Sequence, residues 1–268
     1  MTSALRFALS ALVTLGLSAW LLSGIDRGAL VDLVRRVDRP LFAVFVALSF
    51  AGLFVRALRY SMLLRGRAGF WPVVGVTAAR NFLVDLLPAR IGSLSYVYLL
   101  TARVGVPLEP VLSSFVLSFV YDLLAMALLV GLALSLELGS FQGAGTLAVL
   151  LAIFAAASVA VFVSLAPAVR FAARVVERIP RLAGIRPRLE ATATEIEATG
   201  RGARALGLVA ISFVIRILKF GAYWALLLAV LHERGFGTTE LPFWRVFLGI
   251  AAAELSATLP IHGIAGFG

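Results

Sequence analysis

Runs of about 20 apolar residues, broken only by isolated charges, dominate this sequence and leave it few ways to fold. As a helix, a run of that length reaches about 30 Å, the thickness of a bilayer's hydrocarbon layer. Backbone groups inside lipid must find their partners within the segment, and continuous apolar runs without alternation do this as helices. At 61% hydrophobic and 14% charged residues, the chain carries more apolar side chains than a water-soluble core can bury. The expected fold is all-α: a polytopic integral membrane protein forming a single transmembrane domain over residues 1–268.

Uninterrupted spans are expected at 7–25, 41–64, 109–136, 143–166 and 205–231, and about six transmembrane helices in all. The first is too long for a signal peptide and lacks a small-residue cleavage site. Asp26–Arg39 has apolar residues at helical spacing among its charges and is expected along the membrane surface. Two further segments are not comfortable crossings. Phe70–Thr101 contains Pro72, Asn81, Asp85, Pro88, Arg90 and Gly92, and Phe243–Gly268 contains Pro260, His262, Gly263 and Gly266. Proline and glycine among charged residues are tolerated at membrane depth only where backbone is buried in protein or lines a cavity. Each segment is therefore expected as a re-entrant broken-helix hairpin, the first turning near Pro88–Gly92.

Residues 167–204 hold eight arginines and four glutamates, and Pro180 and Pro187 are expected to divide them into short helices. The excess of arginine places this loop in the cytoplasm, and alternate crossings place the N-terminus there too. The net charge of +10 then belongs to loops facing anionic lipid, and no nucleic-acid partner is implied.

An internal repeat follows. Val55-Arg56-Ala57-Leu58-Arg59-Tyr60 aligns without gaps to Ile215-Arg216-Ile217-Leu218-Lys219-Phe220. Each stretch precedes a broken segment, Leu86-Leu87-Pro88-Ala89-Arg90 in one half and Thr258-Leu259-Pro260-Ile261-His262 in the other. On the orientation above, the two halves (about residues 41–137 and 205–268) enter the membrane from opposite faces. Such an inverted repeat is the sequence mark of an alternating-access transporter.

Isolated charges within spans cost at least ~2.5–3.5 kcal/mol each, so they face a bundle interior, a partner or a watery cavity. Arg56 and Arg59 stand three apart, as do Arg216 and Lys219, so either pair lies on one helix face and could hold a phosphate between its members. Arg90 and His262 follow the two prolines and would present cations at the hairpin turns. These six are the candidate substrate-binding residues, with Asp85, Asp122 and Glu254 as counter-ions. Pro88, Gly92, Pro260, Gly263 and Gly266 would interrupt the helices and expose half-helix ends. With no cysteine and only His232 and His262, thiol chemistry and a multi-histidine metal centre are excluded. No nucleophile–base arrangement or DxD cluster stands out, so neither an enzyme nor a cofactor is expected.

Leu86-Leu87-Pro88-Ala89-Arg90-Ile91-Gly92, then Tyr121-Asp122-Leu123-Leu124, then Glu254 with Leu259-Pro260-Ile261 and the glycines Gly263 to Gly268, resemble the lysylphosphatidylglycerol synthase transmembrane (flippase-like) family in order and spacing. The resemblance runs from about the second span to the end. It implies movement of a phosphate-bearing lipid, aminoacylated or polyprenyl-linked, across a bacterial inner membrane, and no lysyl transfer, since no aminoacyl-transferase domain is present. It also implies that the second repeat continues beyond Gly268. Ser93, Ser118 and Phe119 stand where that pattern carries charged residues. Membrane lipids are the expected partners. A glycosyltransferase or lipid-synthesis enzyme docking on residues 167–204, a membrane enzyme acting on a lipid-linked substrate, and a homo-oligomer are the alternatives.

Overall fold

The computed structural model describes residues 35–86, 92–137, 144–178, 183–199 and 203–256, together with residues 28, 31 and 32. The first expected span, the turn of the first hairpin and the whole break of the second lie outside these residues, with Pro88, Arg90, Pro260, His262, Gly263 and Gly266. Among the described residues there is no strand, and eight α-helices follow one another: α1 (Arg39–Leu63), α2 (Phe70–Leu86), α3 (Ser95–Ala102), α4 (Leu108–Glu137), α5 (Ala144–Glu177), α6 (Arg186–Thr199), α7 (Ala203–Leu231) and α8 (Phe243–Ser256). By length and composition, α1, α4 and the helix comprising α7 can cross a membrane.

Helix α1 starts where Asp38 caps it, its Oδ1 accepting from the Leu41 amide at 2.8 Å, with Pro40 in the first turn where its missing N–H costs nothing. It stops at a sharp turn in which Arg65 and Gly66 take φ of 55° and 76°. Its principal neighbour is α7. Leu48 faces Gly221, Gly52 faces Leu218 and Met62 faces Gly207, so numbering rises along one helix as it falls along the other. At their ends, the Asp38 amide donates to the Ala229 carbonyl at 3.0 Å. The two helices bearing the matching basic motifs thus cross antiparallel, small residue against large, with Gly52 and Ser212 at the same repeat position.

Helix α2, at 17 residues, is about 25 Å long, shorter than the hydrocarbon layer. Beyond it the chain doubles back. Gly92 lies so close to the Leu83 carbonyl and the Val84 amide that a Cβ there would sit inside both. Only glycine permits that approach, and α3 then packs along α2 with Tyr96 and Leu100 fully buried.

The polar region differs from expectation. Helix α5 runs through Pro167 to Glu177 instead of ending at the proline. The lost N–H bond is tolerated because Ala166 and Ala173 on either side are buried, and α5 continues as a packing surface for α6. Pro187 stands in the first turn of the short helix α6, where proline fits, and Pro180 lies outside the described residues.

Two apolar clusters form the core. One gathers Leu63, Leu64, Tyr96, Leu100, Leu117, Tyr121, Ile196 and Leu208, and the other Met126, Leu129, Ala133, Phe220, Phe247 and Ala251. Along α4 the boundary between them falls between Tyr121 and Met126, and along α7 between Leu208 and Phe220.

Candidate functional site

The buried charges occupy that boundary. Asp122 stands midway along α4, and the Arg59 guanidinium from α1 meets it through two contacts, Nη1–Oδ1 at 2.5 Å and Nη2–Oδ2 at 3.2 Å. Arg59 is 0% exposed, so although it lies near the end of its span it does not reach out to the surface. Its Nη1 also donates to Ser212 Oγ on α7 at 2.9 Å, and that hydroxyl donates in turn to the Leu208 carbonyl at 2.7 Å. A two-point guanidinium–carboxylate pair compensates a buried charge far better than a single contact.

From Asp122 the seam continues to α7 and α8. Arg216 Nη2 is 3.8 Å from Asp122 Oδ2, and its Nη1 is 3.4 Å from both oxygens of Glu254. Lys219 Nζ lies 2.5 Å from Glu254 Oε1 and stands over the rings of Phe220 and Tyr223 at 5.8 and 5.7 Å. Bases and acids therefore alternate through Arg59, Asp122, Arg216, Glu254 and Lys219, joining α1, α4, α7 and α8. The members beyond Arg59 are partly exposed: 24% of the Asp122 side chain, 13% of Arg216 and 25% of Lys219.

The pairs do not converge as the i, i+3 spacing suggested. Arg59 turns to Asp122, whereas Arg56 donates to Asn81 Oδ1 on α2 at 2.9 Å. Arg216 and Lys219 do share one partner, the carboxylate of Glu254. Asp122 and Glu254 stand as counter-ions to these bases in the structure. Asp85 lies in the last turn of α2, and Gly92 holds the reversal that follows. Arg90, His262, Pro88, Pro260, Gly263 and Gly266 lie outside the described residues.

Two participants, Ser212 and Asn81, escaped the sequence reading as site residues, and Arg80, conspicuous as a charge within a span, was given no role by it. A serine or an asparagine in an apolar run carries little signal until a cation is seen to bond to it. Arg80 differs from the other bases in having no repeat counterpart to mark it.

At the arginine-rich end, α6 is tied down by ion pairs near water. Arg67 holds Glu195 by two bonds of 3.0 and 2.6 Å, and Arg170 holds Glu197 by two of 2.6 and 2.9 Å. The Arg67 guanidinium, through this hydrogen bond, holds the Glu195 carboxyl below the usual glutamate range, against the opposing effect of partial burial. Arg170, Arg174, Arg186, Glu190 and Thr194 line a surface cavity of about 380 Å³ beside it. Among the described residues no group of three or more His, Cys, Asp or Glu side chains is placed to bind a metal.

The family model described as the lysylphosphatidylglycerol synthase TM region matches residues 5–267. Comparison with curated proteins gives no match, nor does comparison with solved structures.

Proposed function

This chain belongs to the lysylphosphatidylglycerol synthase transmembrane family, a multi-pass membrane family associated with lipid modification or transport, and we propose that it translocates a phosphate-bearing lipid between leaflets. The observation that carries this reading is the charged seam at mid-bundle. A single structural ion pair would satisfy Asp122, yet bases from α1 and α7 and acids from α4 and α8 are linked through partly exposed members. Ionisable groups at that depth are expensive, and linked, partly exposed ones suit a passage for a charged headgroup.

The surroundings fit the same reading. Apolar clusters lie on both sides of the seam, as an occluded carrier requires, and the helices bearing the repeated basic motif cross antiparallel at the junction. In alternating access the repeats rock about such a junction and open the site to one side and then the other. The α2–α3 reversal, with its short first helix, serves as the first re-entrant hairpin of this scheme. The arginine-rich end bearing α6 faces the cytoplasm.

Transport of fluorescent phosphatidylglycerol in proteoliposomes tests the proposal. The wild-type chain should exchange the lipid between leaflets faster than empty vesicles do, and Arg216→Ala, verified as folded by its melting profile, should lose the activity. Wild-type vesicles no faster than empty ones would reject it.

A further inference from the structure

Two guanidiniums in the bundle meet without a carboxylate between them. Arg56 Nη1, from α1, donates to Asn81 Oδ1 at 2.9 Å, and Arg80 Nη1, from α2, points at the same oxygen at 3.4 Å. Among the described residues neither arginine has an acid within ion-pair distance, because Asp122 is engaged by Arg59 and Arg216, and Glu254 by Arg216 and Lys219. Arg80 Nε is buried and has no hydrogen-bond partner among the described residues. One neutral amide oxygen with two lone pairs thus faces two full positive charges. Among the side chains described, the bases Arg56, Arg59, Arg80, Arg216 and Lys219 outnumber the acids Asp122 and Glu254, and the two bases with no acid partner stand at this corner.

The geometry points to Arg56 and Arg80, with Asn81 between them, as a seat for one phosphate or phosphodiester group, distinct from the carboxylate-filled part of the seam. A phosphoryl group offers several acceptor oxygens where Asn81 offers one, so it can engage both forks and the unused Arg80 Nε. All three side chains are only partly buried, which leaves the seat reachable. The same two helices carry exposed aromatic residues, Phe54, Trp71 and Phe82, with Phe54 edge-on to Trp71, so α1 and α2 also offer apolar surface suited to acyl chains. Taking the phosphate to be a lipid's rests on the transport reading above; recognition of the anion by this pair does not.

The test is binding to the full-length chain in a non-ionic detergent, read as quenching of a fluorescent short-chain phosphatidylglycerol, with wild type beside Arg56→Gln, Arg80→Gln and Asn81→Asp. Each glutamine removes one charged donor, and affinity should fall about tenfold or more. Asn81→Asp supplies a covalent counter-ion between the arginines; it should melt at a higher temperature than wild type while losing the lipid. If either glutamine variant fails to fold, Asn81→Asp and the other carry the comparison. Inorganic phosphate separates the two sources of the anion. Competition at millimolar concentration identifies a seat for the phosphate group itself, and competition only by glycerophospholipid identifies one that also uses the chains. Wild-type affinity in all three variants would overturn the proposal. So would an Asn81→Asp protein that binds normally and melts no higher. A chain that binds through this seat without moving lipid would defeat the transport reading and leave the seat standing, whereas transport with unaltered binding in the variants would do the reverse.

Discussion

At the scale of single residues, the seam shows why a buried charge has to be read with its partner. Arg59 and Asp122 lie 63 positions apart and meet at 2.5 Å inside the bundle. Asp122→Asn removes the charge that compensates a fully buried guanidinium and should destabilise the fold by about 3–5 kcal/mol, seen as a lowered melting temperature in detergent. Replacing both members, as Arg59→Met with Asp122→Leu, should recover most of that loss without restoring transport; a double variant no more stable than the single one would mean the pair is not coupled. Gly92 makes a different demand. Gly92→Ala would drive a methyl into the Leu83 carbonyl and should sharply reduce the folded yield, whereas Gly75→Ala, with open space at that position, should be tolerated. The identity of the seam's bases was legible in the sequence, because a charge within an apolar run is conspicuous. Their pairing was not. Helical spacing puts Arg56 and Arg59 on one face, but which neighbour each one meets depends on how α2 and α4 are packed, and that is set by side chains remote in the sequence.

At the scale of elements, apolar length located the helices and missed how they end. The expected spans 41–64, 109–136 and 205–231 agree within about two residues with α1, α4 and α7, the ordinary uncertainty of helix ends. The start of the polar region was misplaced because proline was weighed alone: tertiary packing carries α5 through Pro167, whereas at Pro187 the ring opens the short helix α6. Helix α6 is held by contacts that pH can cut. The folded Glu195 carboxyl titrates below its unfolded counterpart, so the stability from the Arg67–Glu195 pair is fully present above the usual glutamate range and is lost as pH falls through the lowered value. Comparing melting temperatures of wild type and Glu195→Gln should show a small difference at neutral pH, about 0.2–1 kcal/mol for a pair near water, that closes only in strong acid. A gap that persists there would assign the effect to something other than this charge. The antiparallel crossing of α1 and α7 can be checked directly, since the chain has no native cysteine to remove. A Cβ at Gly52 would stand 3.8 Å from Leu218 Cβ. This matches the spacing of about 3.8 Å across a disulfide. The double variant Gly52→Cys, Leu218→Cys should therefore oxidise readily and resist maleimide labelling; labelling unchanged by oxidant would contradict the crossing.

Across the whole molecule, the antiparallel crossing of α1 and α7, the apolar clusters and the seam all meet in one layer of the bundle. The six-residue match between Val55–Tyr60 and Ile215–Phe220 falls on the two helices that meet there. The breaks expected at Pro88 and Pro260 were equally marked in the sequence and lie outside the described residues. The proposed passage depends on selection of an anionic headgroup by the bases along the seam. It is tested most directly by the ratio of exchange rates of fluorescent phosphatidylglycerol and phosphatidylcholine in the same proteoliposomes. The anionic lipid should cross faster, and the preference should vanish when Arg216 and Lys219 are both replaced by glutamine in a protein that still folds; equal rates for the two lipids in wild type would contradict it.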